Sequence, residues 1–491
     1  MELVELFPEK GEEMQCLTEI SIQKCPKLRI LPTKLPSLVQ LNIDGCLQLH
    51  ALPTCSLIRK LRLQECNEML LRKAVGLHSL TSLYLCKIQK LRCLPKGALE
   101  QLMMLEDLEI HSCDLLRLSS DEVSLQNLVS LRRLAISDCP QMEHFPCQLH
   151  TLTTLKKLEI WACPRLRLST NTRLPSLIQD IWISCDAKSL PLEMICCSSL
   201  ERLSVWNSHC LTSLPGCKLA SSLKMLTIRM CSKLEFLPKE MMHCNSSLES
   251  LLIESCESLQ SLDGGFPVAN LRKIQISQCY ELRSLPVHGV SSLQDLTMRR
   301  CPNLYSFPEG PLPAKLERLL IDSCGNLNSI SRWGFERLAC LKNLSFIGCS
   351  IFMEGFLPST LVTLSIKNLP TLKVFDKGLQ HLNSLKYLRI VRCRSLSALP
   401  EEMLPANLCF LQIVECPSVK RHYEINKRNG IQQYSRISLM LGGRFLAKLE
   451  PELGSFMICS KSIDTWVDML LHLCPSQDLK MFSSHWTLPE R

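Results

Sequence analysis

One apolar position recurs along nearly the whole chain, and that recurrence constrains the fold more than any other feature of its 491 residues. It is filled by Ile20, Leu41, Leu61, Leu83, Leu108, Leu134, Leu158, Ile181, Leu203, Leu226, Leu251, Ile274, Leu296, Leu319, Leu344, Leu364, Leu388 and Leu411. These eighteen positions have a mean spacing of 23 residues. The surrounding wording is steady, as in Leu131-x-x-Leu134-x-Ile136-x-x-Cys139-x-x-Met142-x-x-Phe145-Pro146.

A period of this size with L-x-x-L-x-L-x-x-C is the leucine-rich-repeat signature. The central L-x-I has period two, so both apolar side chains point inward and those between them point out. The spacing predicts one short strand per repeat, stacked in parallel about 4.8 Å apart, with no repeat able to bury its own leucines alone. The expected fold is an α/β leucine-rich-repeat solenoid, a horseshoe with a parallel sheet on the concave face and an irregular or short-helical convex side. After many of the strands the chain leaves through Leu-Pro, as at Leu237-Pro238, Leu285-Pro286 and Leu399-Pro400, where proline suits a strand exit. A longer outer segment such as Lys96–Leu105 allows a short helix, whereas Thr33–Ser37 fits only an extended or turning path.

The 29 cysteines acquire a meaning from the same alignment. Fourteen of the eighteen repeats carry one five residues after the aligned position, from Cys25 to Cys416, and the rest carry Ile88, Asp186, Ser208 and Leu369. A small buried thiol suits a tight turn, and no pair has the C-x-x-C spacing of a zinc or redox motif. Neighbouring ladder thiols would lie within disulfide reach, but a reducing cytosol keeps them free.

The chain opens Met1-Glu2-Leu3-Val4-Glu5-Leu6-Phe7-Pro8, without the basic and apolar regions of a secretory signal, and no uncharged apolar run spans a membrane. A cytoplasmic protein with no membrane contact is expected. That opening reads as the tail of a repeat whose strand is missing, so a fragment or truncated product is expected too. We expect the solenoid over 1–416, a basic C-terminal cap over 417–437, and a tail over 438–491 without repeat or motif, in which Asp464–Leu473 has the pattern of a short amphipathic helix. Net charge is +9 and the basic residues are dispersed, which gives no support to nucleic-acid binding.

The repeat wording Ile22-Gln23-Lys24-Cys25-Pro26-Lys27-Leu28-Arg29-Ile30-Leu31-Pro32 resembles the C-terminal repeats of plant intracellular nucleotide-binding leucine-rich-repeat (NLR) disease-resistance proteins. The resemblance covers roughly 1–437 and extends to the closing segment Cys416-Pro417 through Gly430, Tyr434 and Ile437, with Tyr434 where that family usually has Trp. It implies a defence-related recognition and autoinhibitory module whose partner is a pathogen effector, a guarded host protein or a nucleotide-binding switch domain. It does not carry over nucleotide binding, because no G-x-x-x-x-G-K-[ST] loop occurs and Gly-Lys is absent even as a dipeptide. Two other functions stay open: an extracellular receptor domain, needing paired cysteines, and a ubiquitin-ligase substrate adaptor.

Candidate site residues follow from the strand pattern. Trp161, Trp182 and Trp206 fall at outward positions of three successive repeats, within about 10 Å of one another at strand spacing. Such a cluster suits a protein hot spot, or else the indoles pack on one another as surface β-formers. Arg299, Arg300, Arg318, Arg389 and Arg392, with Lys273 and Lys367, are also assigned outward strand positions among Glu254, Asp295, Asp322 and Glu415. They read as a solvated mixed face, or as a surface attracting an acidic partner. No catalytic motif, metal set or cofactor site is found: the 12 histidines are scattered, and H-E-x-x-H and G-x-S-x-G are both absent. The sequons at Asn245 and Asn343 are read as chance occurrences.

Overall fold

The computed structural model describes residues 15–421 except 74–76, 95–100, 118–124, 126, 144–148, 167–173, 185–196, 215–219, 238–246, 263–269, 286, 288–289, 305–310, 325–332, 350–356, 375–378, 398, 400–403 and 420. It adds the backbone of 438–441 and 444–445. Two units divide the chain at 447/448, and the second, 448–491, lies outside the described residues, as does the expected helix at 464–473.

Every aligned position is the second residue of a strand. The first six strands are β1 (Glu19–Gln23), β2 (Gln40–Asp44), β3 (Lys60–Gln64), β4 (Ser82–Cys86), β5 (Asp107–His111) and β6 (Arg133–Ser137). Then come β7 (Lys157–Trp161), β8 (Asp180–Ile183), β9 (Arg202–Trp206), β10 (Met225–Arg229), β11 (Ser250–Glu254) and β12 (Lys273–Ser277). The last six are β13 (Asp295–Arg299), β14 (Arg318–Asp322), β15 (Asn343–Ile347), β16 (Thr363–Lys367), β17 (Tyr387–Val391) and β18 (Phe410–Val414). Each pairs in parallel with the next, aligned residue against aligned residue, as in Ile20↔Leu41 and Leu388↔Leu411. This register follows from the period of two: a one-residue slip would turn every leucine to water.

The second and fourth residues of all eighteen strands are buried and join one continuous core with the leucines of the exit turns, among them Leu28, Leu237, Leu285 and Leu399. The sheet continues past Cys416. The backbone of Ser438–Leu441 (β19) pairs in parallel with β18, and Arg444–Phe445 (β20) returns antiparallel to β19. Six residues of the expected tail thus lie in two strands at the end of the sheet, whereas most of the expected cap, 422–437, is outside the described residues.

Helix is scarce among the described residues, as the spacing predicts. The outer helix α1 (Glu68–Lys73) forms where Asn67 Oδ1 accepts the Met69 amide at 3.1 Å, an acid opens the first turn, and Leu70 and Leu71 turn inward. In the segment expected to be helical, 96–100 lie outside the described residues and 101–105 turn without forming a helix.

A feature that the sequence pattern does not announce closes the strands wherever their ends are described. The residue four after the aligned position has positive φ in all seventeen repeats where it is described, and only Gly45 and Gly348 are glycines. A left-handed residue other than glycine costs about 1–2 kcal/mol. Here that residue points its amide at the strand-end carbonyl of the next repeat, as Ser112 N does to Ser137 O at 2.9 Å and Ser255 N to Ser277 O at 2.9 Å. The cysteine that follows donates to the strand-end carbonyl of its own repeat: Cys139 Sγ to Ser137 O at 3.3 Å, Cys279 Sγ to Ser277 O at 3.5 Å. Ser208 does the same to Trp206 O at 3.2 Å. One carbonyl therefore accepts an N–H and an S–H, so both lone pairs of a group withdrawn from water are satisfied.

Candidate functional site

The open face of the sheet is made by the first, third and fifth residues of each strand. Small side chains lie at the bottom in its middle, with Ala135, Ser137, Ser184, Ser204 and Thr227 all buried under their neighbours. Long side chains from adjacent strands reach over them and meet, which fixes a band of contacts from β3 to β11.

At one end the Arg62 guanidinium sits 3.8 Å above the Tyr84 ring, whose face meets His111 at 5.1 Å between centroids. His111 Nε2 donates to Glu109 Oε2 at 3.1 Å, and its Nδ1 meets the Ser137 hydroxyl. Arg133 bridges Glu109 and Glu159, approaching Glu159 Oε2 with Nη2 at 2.6 Å and Nε at 2.9 Å. Lys157 holds the other Glu159 oxygen at 2.8 Å and lies 5.6 Å from the Trp182 ring centre. Trp182 stacks on Trp206 with centroids 6.2 Å apart and planes 22° from parallel. Arg229 covers the other side of Trp206 at 5.0 Å and pairs with Glu254 at 3.1 Å. Nine successive strands are thereby linked through side chains on one surface.

The hydrogen bond from His111, together with the Arg133 charge, holds Glu109 down to about 2 although burial opposes the shift. An unfolded glutamate titrates near 4.3, so the network's contribution is complete above that pH and drains away as pH falls toward 2. Glu109→Gln should flatten the pH dependence of unfolding free energy in that window, measured by urea titration at stepped pH. An unchanged slope would show that the carboxylate is not held as described.

The expected site residues separate into groups. Trp182 and Trp206 come together and fill one another's apolar faces. Trp161 ends β7 and leaves 47% of its surface exposed, with no described ring stacked on it. Arg299 ends β13, Arg318 opens β14 and reaches Asp295 at 3.2 Å, and Arg389 is central in β17. Arg300 and Arg392 are not strand residues, which corrects the expectation. Each follows its strand in the left-handed turn, at φ 51 and 56, at a sixth position that strict alternation would have turned inward. From there Arg392 grips Glu415 in two contacts of 2.9 and 3.2 Å. The sequence reading missed Arg62, Tyr84, His111 and Arg133, although all occupy outward lanes of the same repeat frame.

Cys66 and Cys279 suit structure and not nucleophilic chemistry. Burial pushes Cys66 and Cys279 up to about 12, far from thiolate at neutral pH. No group of His, Cys, Asp and Glu suited to a metal ion occurs among the described residues, and no helix among them is long and apolar enough to cross a membrane.

Register, period and turn ladder together define a leucine-rich-repeat solenoid. No family model and no curated protein sequence matches the chain. In structure it is similar to a leucine-rich-repeat protein of Leptospira interrogans, at 21% identity and TM-score 0.44, over 81% of this chain and 95% of that one. It is similar also to TLR13 in its complex with ssRNA13, at 17% identity and TM-score 0.49, over 87% of this chain and 78% of that one. The plant peptide hormone receptor RGFR1, in complex with RGF2, is similar at 17% identity and TM-score 0.35, over 87% and 77%.

Proposed function

We propose that the chain is a protein-recognition module of the kind found in plant intracellular disease-resistance receptors, working in the cytosol through its open sheet face. The partner is a pathogen effector, a guarded host protein or a nucleotide-binding switch domain. The observation that carries this reading is the band from Arg62 to Glu254, where aromatic and guanidinium groups are already held in place by their neighbours. Such side chains lose little rotamer freedom on binding, and Trp and Arg are the types that dominate binding energy at protein interfaces. The cytosolic setting is supported by the ladder, whose thiols act as hydrogen-bond donors and would lose that role as disulfides.

The test uses a protein partner isolated from plant tissue on the immobilised chain and then purified. The triple variant Trp161→Ala, Trp182→Ala, Trp206→Ala should bind it at least about thirtyfold more weakly. Equal affinity for both forms, with the variant's circular dichroism unchanged, would remove the sheet face from recognition.

A further inference from the structure

The charges on the open face are not evenly mixed along the stack, and their order states what kind of segment lies across it. On β5 to β8 and the turns that follow, five carboxylates (Asp107, Glu109, Asp138, Glu159, Asp180) stand against two cations, Arg133 and Lys157, with histidine counted neutral. From β9 to β18 the balance inverts to nine cations against four acids. At the far end, Lys367, Arg389 and Arg392 face a single carboxylate, Glu415, beside the exposed ring of Tyr387.

Within the acidic stretch lies the most exposed indole of the face. The Asp138 amide donates to Trp161 O at 3.1 Å, so the two residues are cross-strand neighbours, and both are exposed. The Asp138 carboxylate accepts the Ser112 hydroxyl at 2.8 Å, which leaves further lone pairs for a ligand. An exposed indole face beside a carboxylate is suited to a lysine or arginine, through cation–π attraction and a charge-assisted hydrogen bond.

We propose that the sheet takes a polypeptide segment of fixed polarity, laid across the strands with a basic block on Trp161 and Asp138 and an acidic block on Lys367 and Arg389. The two ends are ten strands apart, about 48 Å along the sheet. This rests on the recognition role proposed above and adds the partner's charge order to it. A uniform polyanion such as a nucleic acid fits only the basic half and is repelled at Trp161.

Two blocked synthetic peptides, hexalysine and hexaglutamate, serve as probes in titrations of the intact chain at low salt. Hexalysine binding should fall at least about tenfold in the variant Trp161→Ala, Asp138→Asn and stay unchanged in Lys367→Gln, Arg389→Gln. Hexaglutamate should show the reverse, and neither peptide should displace the other. Asparagine tolerates the left-handed turn at position 138, so the first variant keeps its fold. Binding of either peptide that ignores its own pair of substitutions, or competition of both for one site, would overturn the proposal. If the peptides behave so while a purified partner still binds the triple tryptophan variant, the recognition reading fails and the charge order stands; a partner lost with the tryptophans alongside unresponsive peptides is the converse.

Discussion

Leu226→Ala is expected to destabilise the middle of the stack by about 2–5 kcal/mol, and the loss should be local. Leu226 is fully buried in β10, packed in register between Leu203 and Leu251. Truncation leaves a cavity that the flanking leucines cannot fill without drawing two strands out of hydrogen-bonding distance, so relaxation is limited. In a solenoid each repeat touches only its neighbours, and the damage is confined to them. Amide hydrogen exchange should therefore accelerate in β9, β10 and β11 while β2 to β5 keep their protection. A uniform loss of protection across all strands would mean that the stack unfolds as one cooperative unit, against the nearest-neighbour account.

The strands, their register and the inward leucines were legible because one signal, a period of two nested in a period of about 23, is repeated eighteen times. Repetition averages away the ambiguity that a single five-residue strand would carry. The turn was read only in part. Cysteine at the ladder position announced burial, but the residue before it is Lys24, Glu65, Ala162, Asn207, Met230 or Arg300 as readily as glycine, so composition did not betray its left-handed backbone. The backbone there is set by the amide's partner in the next repeat, a relation between chain segments that no local window contains.

The candidate face divides along the same line. Its tryptophans stood out by type, but the contacts linking Arg62, Tyr84, His111, Arg133 and Lys157 depend on which long side chain leans over which small one. That is fixed by diagonal neighbours across strands, and register alone leaves several pairings open. Arg300 and Arg392 come one residue after their strands, where strict alternation would turn a side chain inward; the left-handed turn sets their direction instead.

Met230→Pro is expected to cost about 3 kcal/mol or more, although Met230 exposes 49% of its surface. Its φ is +57, which proline cannot adopt, and its amide donates to Glu254 O at 2.8 Å, which proline cannot do. Met230→Gly should act in the opposite direction. Glycine removes the Cβ clash of the left-handed turn, worth about 1–2 kcal/mol, and gives back part of that gain through the extra freedom of the unfolded chain. The pair separates backbone from side chain at one position: if the exposed methionine mattered through its own contacts, both substitutions would destabilise by similar amounts in urea titrations. Opposite signs would show that the turn, with its amide reaching into the next repeat, is the joint on which the stacking of strands depends.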